Sequence, residues 1–176
     1  KKITSTLAKI YFGLESKLLL GNLDSLRDWG HAKDYAEMQW KILQHKKPDD
    51  FVISTDFQCS VRKFAEKTAR QLGFDISWKG KGIHEIGKVG KIKKKISKFS
   101  ERLYLINNVD KIIFVSKNYF RPLDVENLWG DSSKARRVLK WKPKYSLDNL
   151  VKEMVHTDVD EAYKEFRLKY LDAKKY

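Results

Sequence analysis

Apolar residues recur at three- and four-residue intervals in several stretches of the chain, and each such stretch predicts an amphipathic helix. Ile3, Leu7, Ile10, Tyr11 and Leu14 share one face over residues 1–14. That pattern is already under way at Lys1, with no capping residue ahead of it, so a truncated chain is expected. Tyr35, Met38, Gln39, Ile42 and Leu43 mark a helix over 32–46, and Pro48 forbids much continuation. Val61, Phe64, Ala65, Thr68 and Leu72 mark another over 61–72, with Ser60 as N-cap and Gly73 placed to end it. A short helix over 132–139 starts from Asp131 or Ser132. A longer one is capped by Ser146 and carries an apolar stripe from Leu147 to Phe166. Short apolar runs at 17–20, 51–54, 74–78 and 111–116 predict strands. The run at 51–54 reads as buried and parallel, making a β-α-β unit with the helix and strand that follow.

The composition fits a folded domain: 41% of the 176 residues are hydrophobic and 12% aromatic. No apolar stretch reaches the length of a membrane span, and no signal-type segment opens the chain, so no membrane role is expected. Cys59 is the only cysteine, which excludes an internal disulfide and points to a reducing, cytoplasmic compartment. Charge changes the picture more. Basic residues number 37 against 23 acidic ones, a net +14, which invites a polyanionic partner. The excess gathers over 79–98, where only Glu85 opposes the lysines. This segment is expected to be a mobile basic loop, within a variable insertion over 79–110. Trp78 beside it would suit single-stranded nucleic acid, but no recognised RNA-binding signature accompanies it, so nucleic acid is not the expected partner.

Two apparent motifs are weak. The run from Gly82 to Lys88 nearly matches a P-loop, but Val89 stands where a magnesium-binding hydroxyl is needed. Gly80-Lys81-Gly82 lacks the third glycine of a dinucleotide fingerprint. His31 and Asp34 read as groups that fasten a loop to a helix rather than as a metal pair, since His45, His84 and His156 show no ligand spacing.

The stretch with the most chemistry is Gly21-Asn22-Leu23-Asp24-Ser25-Leu26-Arg27-Asp28-Trp29-Gly30-His31-Ala32-Lys33-Asp34-Tyr35. Its first part is expected to be an irregular loop entering the helix at 32, with Asp28 accepting from free amides at the helix start. Arg27 then sits at a helix entrance. Its planar fork suits bidentate contact with a phosphate or carboxylate, and simple pairing with Asp24 or Asp28 is the competing use. The Asn22 amide can recognise a base edge or a backbone group.

This string closely resembles the GDP-mannose 4,6-dehydratases, extended enzymes of the short-chain dehydrogenase/reductase type. Arg-Asp-Trp followed by His and Asp is shared by many nucleotide-sugar epimerases and dehydratases, and the longer string is narrower. The resemblance also covers Lys2-Ile3, 50–61, 119–130 and 141–155, and is weakest over 79–118. It implies an α/β fold: the C-terminal, substrate-binding part of an extended Rossmann-type dehydratase, helix-rich with few short strands. The N-terminal Rossmann core would lie outside the chain. It implies that Arg27 and Arg121 clamp one diphosphate, Arg121 coming from the triplet Phe120-Arg121-Pro122. Asp124 would face the ribose hydroxyls, where the family more often has Glu. Asn22 would line the pocket, and Lys2 would lie near the nucleotide.

The implied reaction is loss of water from GDP-mannose to give GDP-4-keto-6-deoxymannose, with NADP taking a hydride from C4 and returning it to C6. A related GDP-heptose is the alternative substrate. The tyrosine-lysine pair, its threonine and glutamate, and the glycine-rich cofactor loop would all precede residue 1. No catalytic, cofactor-binding or metal-binding residue is therefore expected here, and no turnover from this chain alone. The complete enzyme would be a cytoplasmic homo-oligomer, a dimer or tetramer.

Overall fold

The apolar stripes of the sequence become the faces on which the helices meet. The structure, a computed structural model, describes residues 1–93, 110–120, 125 and 127–170. Helix α1 (Lys2–Tyr11) buries Ile3, Leu7, Ile10 and Tyr11. Helix α3 (Val61–Gln71) starts at Ser60, whose Oγ accepts from the Lys63 amide at 3.1 Å. It ends at Gly73, where a φ of 92° takes the left-handed turn that glycine permits. Helix α5 (Leu147–Tyr170) lays Val151, Val155, Val159, Ala162 and Phe166 against α1 and α3. Lys1 ties the start of α1 to α5 by pairing with buried Asp158 and, at 2.9 Å, with Glu161.

A four-stranded sheet completes this core, in the order β1 (Leu18–Leu20), β6 (Lys111–Val115), β5 (Ile86–Ile92), β4 (Phe74–Lys79). Strands β1 and β6 run parallel, with Leu18 opposite Ile113 and Leu20 opposite Val115. Strand β5 is antiparallel to both of its neighbours. Ile112 and Ile113 of β6 are fully buried. A second, smaller cluster forms around Met38 of α2 (Ala32–Leu43), Ala135 of α4 (Ser133–Leu139) and Trp141. No helix among the described residues is long and apolar enough to cross a membrane.

Several expectations give way to the structure. Residues 21–31 are not wholly irregular: β2 (Leu26–Asp28) pairs antiparallel with β3 (Gln58–Ser60), placing Arg27 opposite Cys59. Strands this short carry no detectable period. Asp28 does not cap α2. His31 does so, its Nδ1 accepting from the Lys33 amide at 3.1 Å. The Asp28 carboxylate instead accepts from the Thr55 amide at 2.8 Å and the Thr55 hydroxyl at 2.7 Å. Leu43, expected on the apolar face of α2, is 80% exposed, and only Asp34 and Met38 are buried on that helix.

Residues 51–54 belong to no strand among the described residues, so the β-α-β unit is not formed. Phe51 and Ile53 pack on the smaller cluster, and Val52 is exposed. The basic segment is not a loop where it is described. Residues 79–93 contain the end of β4, a 3-10 turn at Gly82–His84, and β5. Residues 94–109 lie outside the described residues.

Candidate functional site

Strand β1 ends at Leu20, and the chain turns at Gly21 directly against the backbone beyond β6. A Cβ on Gly21 would lie 2.2 Å from the carbonyl oxygen of Tyr119, so only glycine allows this approach. The Ser116 amide donates to Leu20 O at 2.8 Å and holds the two segments together. A tight turn follows, in which the Asp24 amide donates to Asn22 Oδ1 at 2.9 Å. The start of α3 grips this turn: the Arg62 amide donates to Leu23 O at 2.8 Å, and the Val61 amide to Ser25 O at 3.2 Å. The chain then enters β2, which carries Arg27 on a paired strand.

A cavity of about 400 Å³ opens here, lined by Lys2, Asn22, Arg27, Trp29, Phe64 and Tyr119 among others. Lys2, Asn22 and Arg27 were expected at a substrate site from the sequence, and the fold brings them together. Arg121 and Asp124 were also expected there and lie outside the described residues. Their described neighbours bear on the cavity. Tyr119 lines it, with Lys2 Nζ 3.4 Å above the centre of its ring. Arg27 Nη1 donates to the carbonyls of Leu26 and Val125, each at 2.8 Å. Leu26 also forms a parallel bridge with Asn127.

The nearby carboxylates have structural partners. Arg62 holds Asp24 Oδ1 through Nε at 3.0 Å and Nη2 at 2.9 Å, and holds buried Glu85 with its other edge. The hydrogen bonds that it donates to Glu85 raise the proton affinity of that guanidinium, with Asp24 adding to them and burial opposing. Burial, and then Asp28, push the Tyr35 phenol up. Burial also pushes the Cys59 thiol up, which disfavours a thiolate.

His31 and Asp34 work apart. His31 caps α2, while Asp34 accepts from the Lys144 amide at 3.0 Å and the Tyr145 amide at 3.1 Å. Among the described residues no group of three or more His, Cys, Asp and Glu could hold a metal ion.

Sequence reasoning missed the aromatic walls. Trp29 stacks on Phe64 at 4.2 Å, and its Nε1 donates to Cys59 O at 2.8 Å. Phe64 read only as a core residue, and Tyr119 only as the first residue of the stretch 119–130 that the resemblance covers. Trp29 also lines a second cavity of about 490 Å³, with Thr55, Lys67 and Tyr145, which holds none of the expected substrate residues. The first cavity combines three basic side chains (Lys1, Lys2 and Arg27), the amides of Asn22 and Asn118, and aromatic faces. That set suits a ligand with an anionic group beside a flat ring.

Residues 1–154 match the family described as GDP-mannose 4,6 dehydratase. The chain is 45% identical over 170 residues to GDP-mannose 4,6-dehydratase of Yersinia enterocolitica, covering 96% of this chain and 44% of that protein. It is 43% identical over 160 residues to the human GDP-mannose 4,6 dehydratase, covering 91% and 39%. The chain thus spans less than half the length of the curated relatives it matches. Among solved structures it resembles RMD from Pseudomonas aeruginosa complexed with NADPH, with a TM-score of 0.60 at 14% identity over 92% of this chain and 43% of that one. It also resembles UDP-glucose 4-epimerase from Bifidobacterium longum in complex with NAD+ and UDP, with a TM-score of 0.58 at 16% identity over 93% and 40%. At these identities the likeness is one of fold: a partial, helix-rich α/β piece of extended Rossmann-type epimerases and dehydratases.

Proposed function

The chain belongs to the GDP-mannose 4,6-dehydratase family, and on that footing we propose that it holds the nucleotide of a GDP-sugar within such an enzyme. One observation carries this reading: Lys2, Asn22 and Arg27 line a single cavity of about 400 Å³. In this reading Arg27 and Arg121 clamp the diphosphate and Asp124 accepts from the ribose. Tyr119 on the cavity wall and the bond from Arg27 to Val125 O support that, because they flank Arg121 and Asp124 in the chain. Two charge-assisted arginine forks select a diphosphate more sharply than dispersed lysines do.

The reaction proposed for the whole protein is dehydration of GDP-mannose to GDP-4-keto-6-deoxymannose, with a related GDP-heptose as the alternative substrate. NADP, when bound, supplies the transient oxidation at C4. The described residues do not fit that cofactor. Gly80 and Gly82 sit at the turn from β4 towards β5, and Gly87 and Gly90 lie within β5, so none of these opens an α-helix on which a pyrophosphate would rest. The reading therefore assigns NADP and the catalytic groups to the part of the family's length that this chain does not span. It takes the chain as one substrate-binding portion, with 79–110 as its basic variable insertion, of a cytoplasmic homo-oligomer. The chain alone is expected to bind without turnover.

Calorimetric titration tests the reading. GDP should bind, and Arg27→Ala should weaken it at least about tenfold. Binding of a single-stranded oligonucleotide instead, with no GDP binding, overturns the proposal.

A further inference from the structure

Arg62 is not among the residues that line the cavity, yet it holds the turn that carries Asn22 into it. Its guanidinium joins Asp24 of the turn to Glu85 ahead of β5, and lies 4.8 Å from the ring centre of Trp78. Its own amide donates to Leu23 O at 2.8 Å. Arg62 therefore fixes Leu23 through the backbone and Asp24 through the side chain. The Asp24 amide in turn donates to the Asn22 side chain at 2.9 Å.

That last bond settles the orientation of Asn22. A backbone N–H can only donate, so the Asn22 atom facing it is the carbonyl oxygen. What Asn22 offers the cavity is then its NH₂ group. We propose that Arg62 is a positioning residue for the nucleotide cavity: through Asp24 it holds Asn22 so that its NH₂ donates to an acceptor oxygen of the bound nucleoside diphosphate. The inference rests on the GDP-binding reading above and adds to it a residue outside the cavity and a direction for one hydrogen bond.

A purely structural tie would lower stability and leave affinity alone, so affinity is the readout. GDP is titrated calorimetrically into the protein as its gene encodes it and into its variants, with melting followed in parallel. Asn22→Ala and Arg62→Ala are each expected to weaken GDP binding about tenfold, the range of one lost hydrogen bond to a charged acceptor. In the Asn22→Ala background, Arg62→Ala should add less than about twofold, because its effect passes through Asn22. Asn22→Asp keeps the oxygen that accepts from Asp24 but replaces the donor with a second oxygen, and should weaken binding more than Asn22→Ala.

If Arg62→Ala does not fold, Asp24→Ala carries the test with an expected loss of about threefold, since Asp24 is 74% exposed and its removal leaves the core intact. Wild-type affinity in Arg62→Ala, or in Asp24→Ala if it takes its place, overturns the proposal. So do fully multiplicative effects in the double variant. If GDP binds, and Arg27→Ala abolishes it while the Arg62 and Asp24 variants bind normally, only this inference fails. If GDP does not bind the unaltered protein, both readings fail.

Discussion

The two apolar clusters of this molecule are held by different forces. The larger one joins α1, α3, α5 and the sheet, and its members are covered by one another: Leu7, Leu18, Phe64, Leu72 and Ile113 expose almost nothing. The smaller one has only Met38, Ala135 and Trp141 fully inside. Around it stand exposed apolar side chains, with Trp40 at 61%, Leu43 at 80% and Trp129 at 67%. Polar pins do there what burial does elsewhere. The carbonyl of Asp34 accepts from Trp141 Nε1 at 3.2 Å, and its carboxylate accepts from two amides of the segment leading into α5. Asp56, at a φ of 59°, accepts from the hydroxyls of Ser54 and Ser132 at 2.9 and 3.0 Å and pairs with Arg136 at 2.5 Å. The cavity belongs to the side held by burial. The lesson is that a cavity wall such as Trp29 on Phe64 is only as firm as the core beneath it.

The largest effect that could break this contrast is Phe64→Ala. It should cost about 3–5 kcal/mol by denaturant unfolding, the usual range for a buried aromatic ring, and weaken GDP binding by freeing Trp29. Asp34→Ala should come next, at about 2–3 kcal/mol, because two amides lose their acceptors. Its signature should be local: faster hydrogen exchange over 133–146, with the amides of α1 and α3 still protected. Uniform loss of protection would show that the two clusters unfold as one.

The smallest effect is read from a pH profile. The hydrogen bond from His31, and then Lys33, hold the Glu153 carboxyl below its usual 4.5, against burial. A carboxyl lowered on folding adds stability above its unfolded value and loses it as the pH falls through the folded one. The melting temperature of Glu153→Gln should therefore lie below that of the parent at neutral pH, and the gap should close below about pH 4.5. A gap that persists in acid would show that Glu153 works through packing.

Much of the buried side was legible because its signal is repetition. Val151, Val155, Val159, Ala162 and Phe166 can be read as one stripe, and Ser60 announces the helix that follows it. The pinned side was less legible because single long-range bonds leave no period. Nothing near Asp34 says that its partners are the amides of Lys144 and Tyr145, and nothing near Asp28 names Thr55. Strand β5 was hidden for another reason. Its glycines and lysines look like a loop, yet a Cβ on Gly87 would lie 2.9 Å from Trp78 and 3.0 Å from Ile113, so glycine there serves close packing. The run at 51–54 shows the opposite error: apolar and β-branched, it satisfies every local criterion for a strand but finds no neighbour to pair with among the described residues. Within the candidate site, Arg27 and Asn22 were marked by their own chemistry and assigned to the substrate by family resemblance, Lys2 came from resemblance alone, and the ties of Arg62 needed coordinates.

The parallel pairing of β1 with β6 also sets an order of events. Leu18 must find Ile113, almost the full length of the sheet-forming chain away, before Gly21 can rest on Tyr119. Contacts so remote in sequence close late, after local helices and the hairpin of β4 and β5. During synthesis the cavity beside Gly21 and Tyr119 therefore cannot form until the strand Lys111–Val115 has left the ribosome.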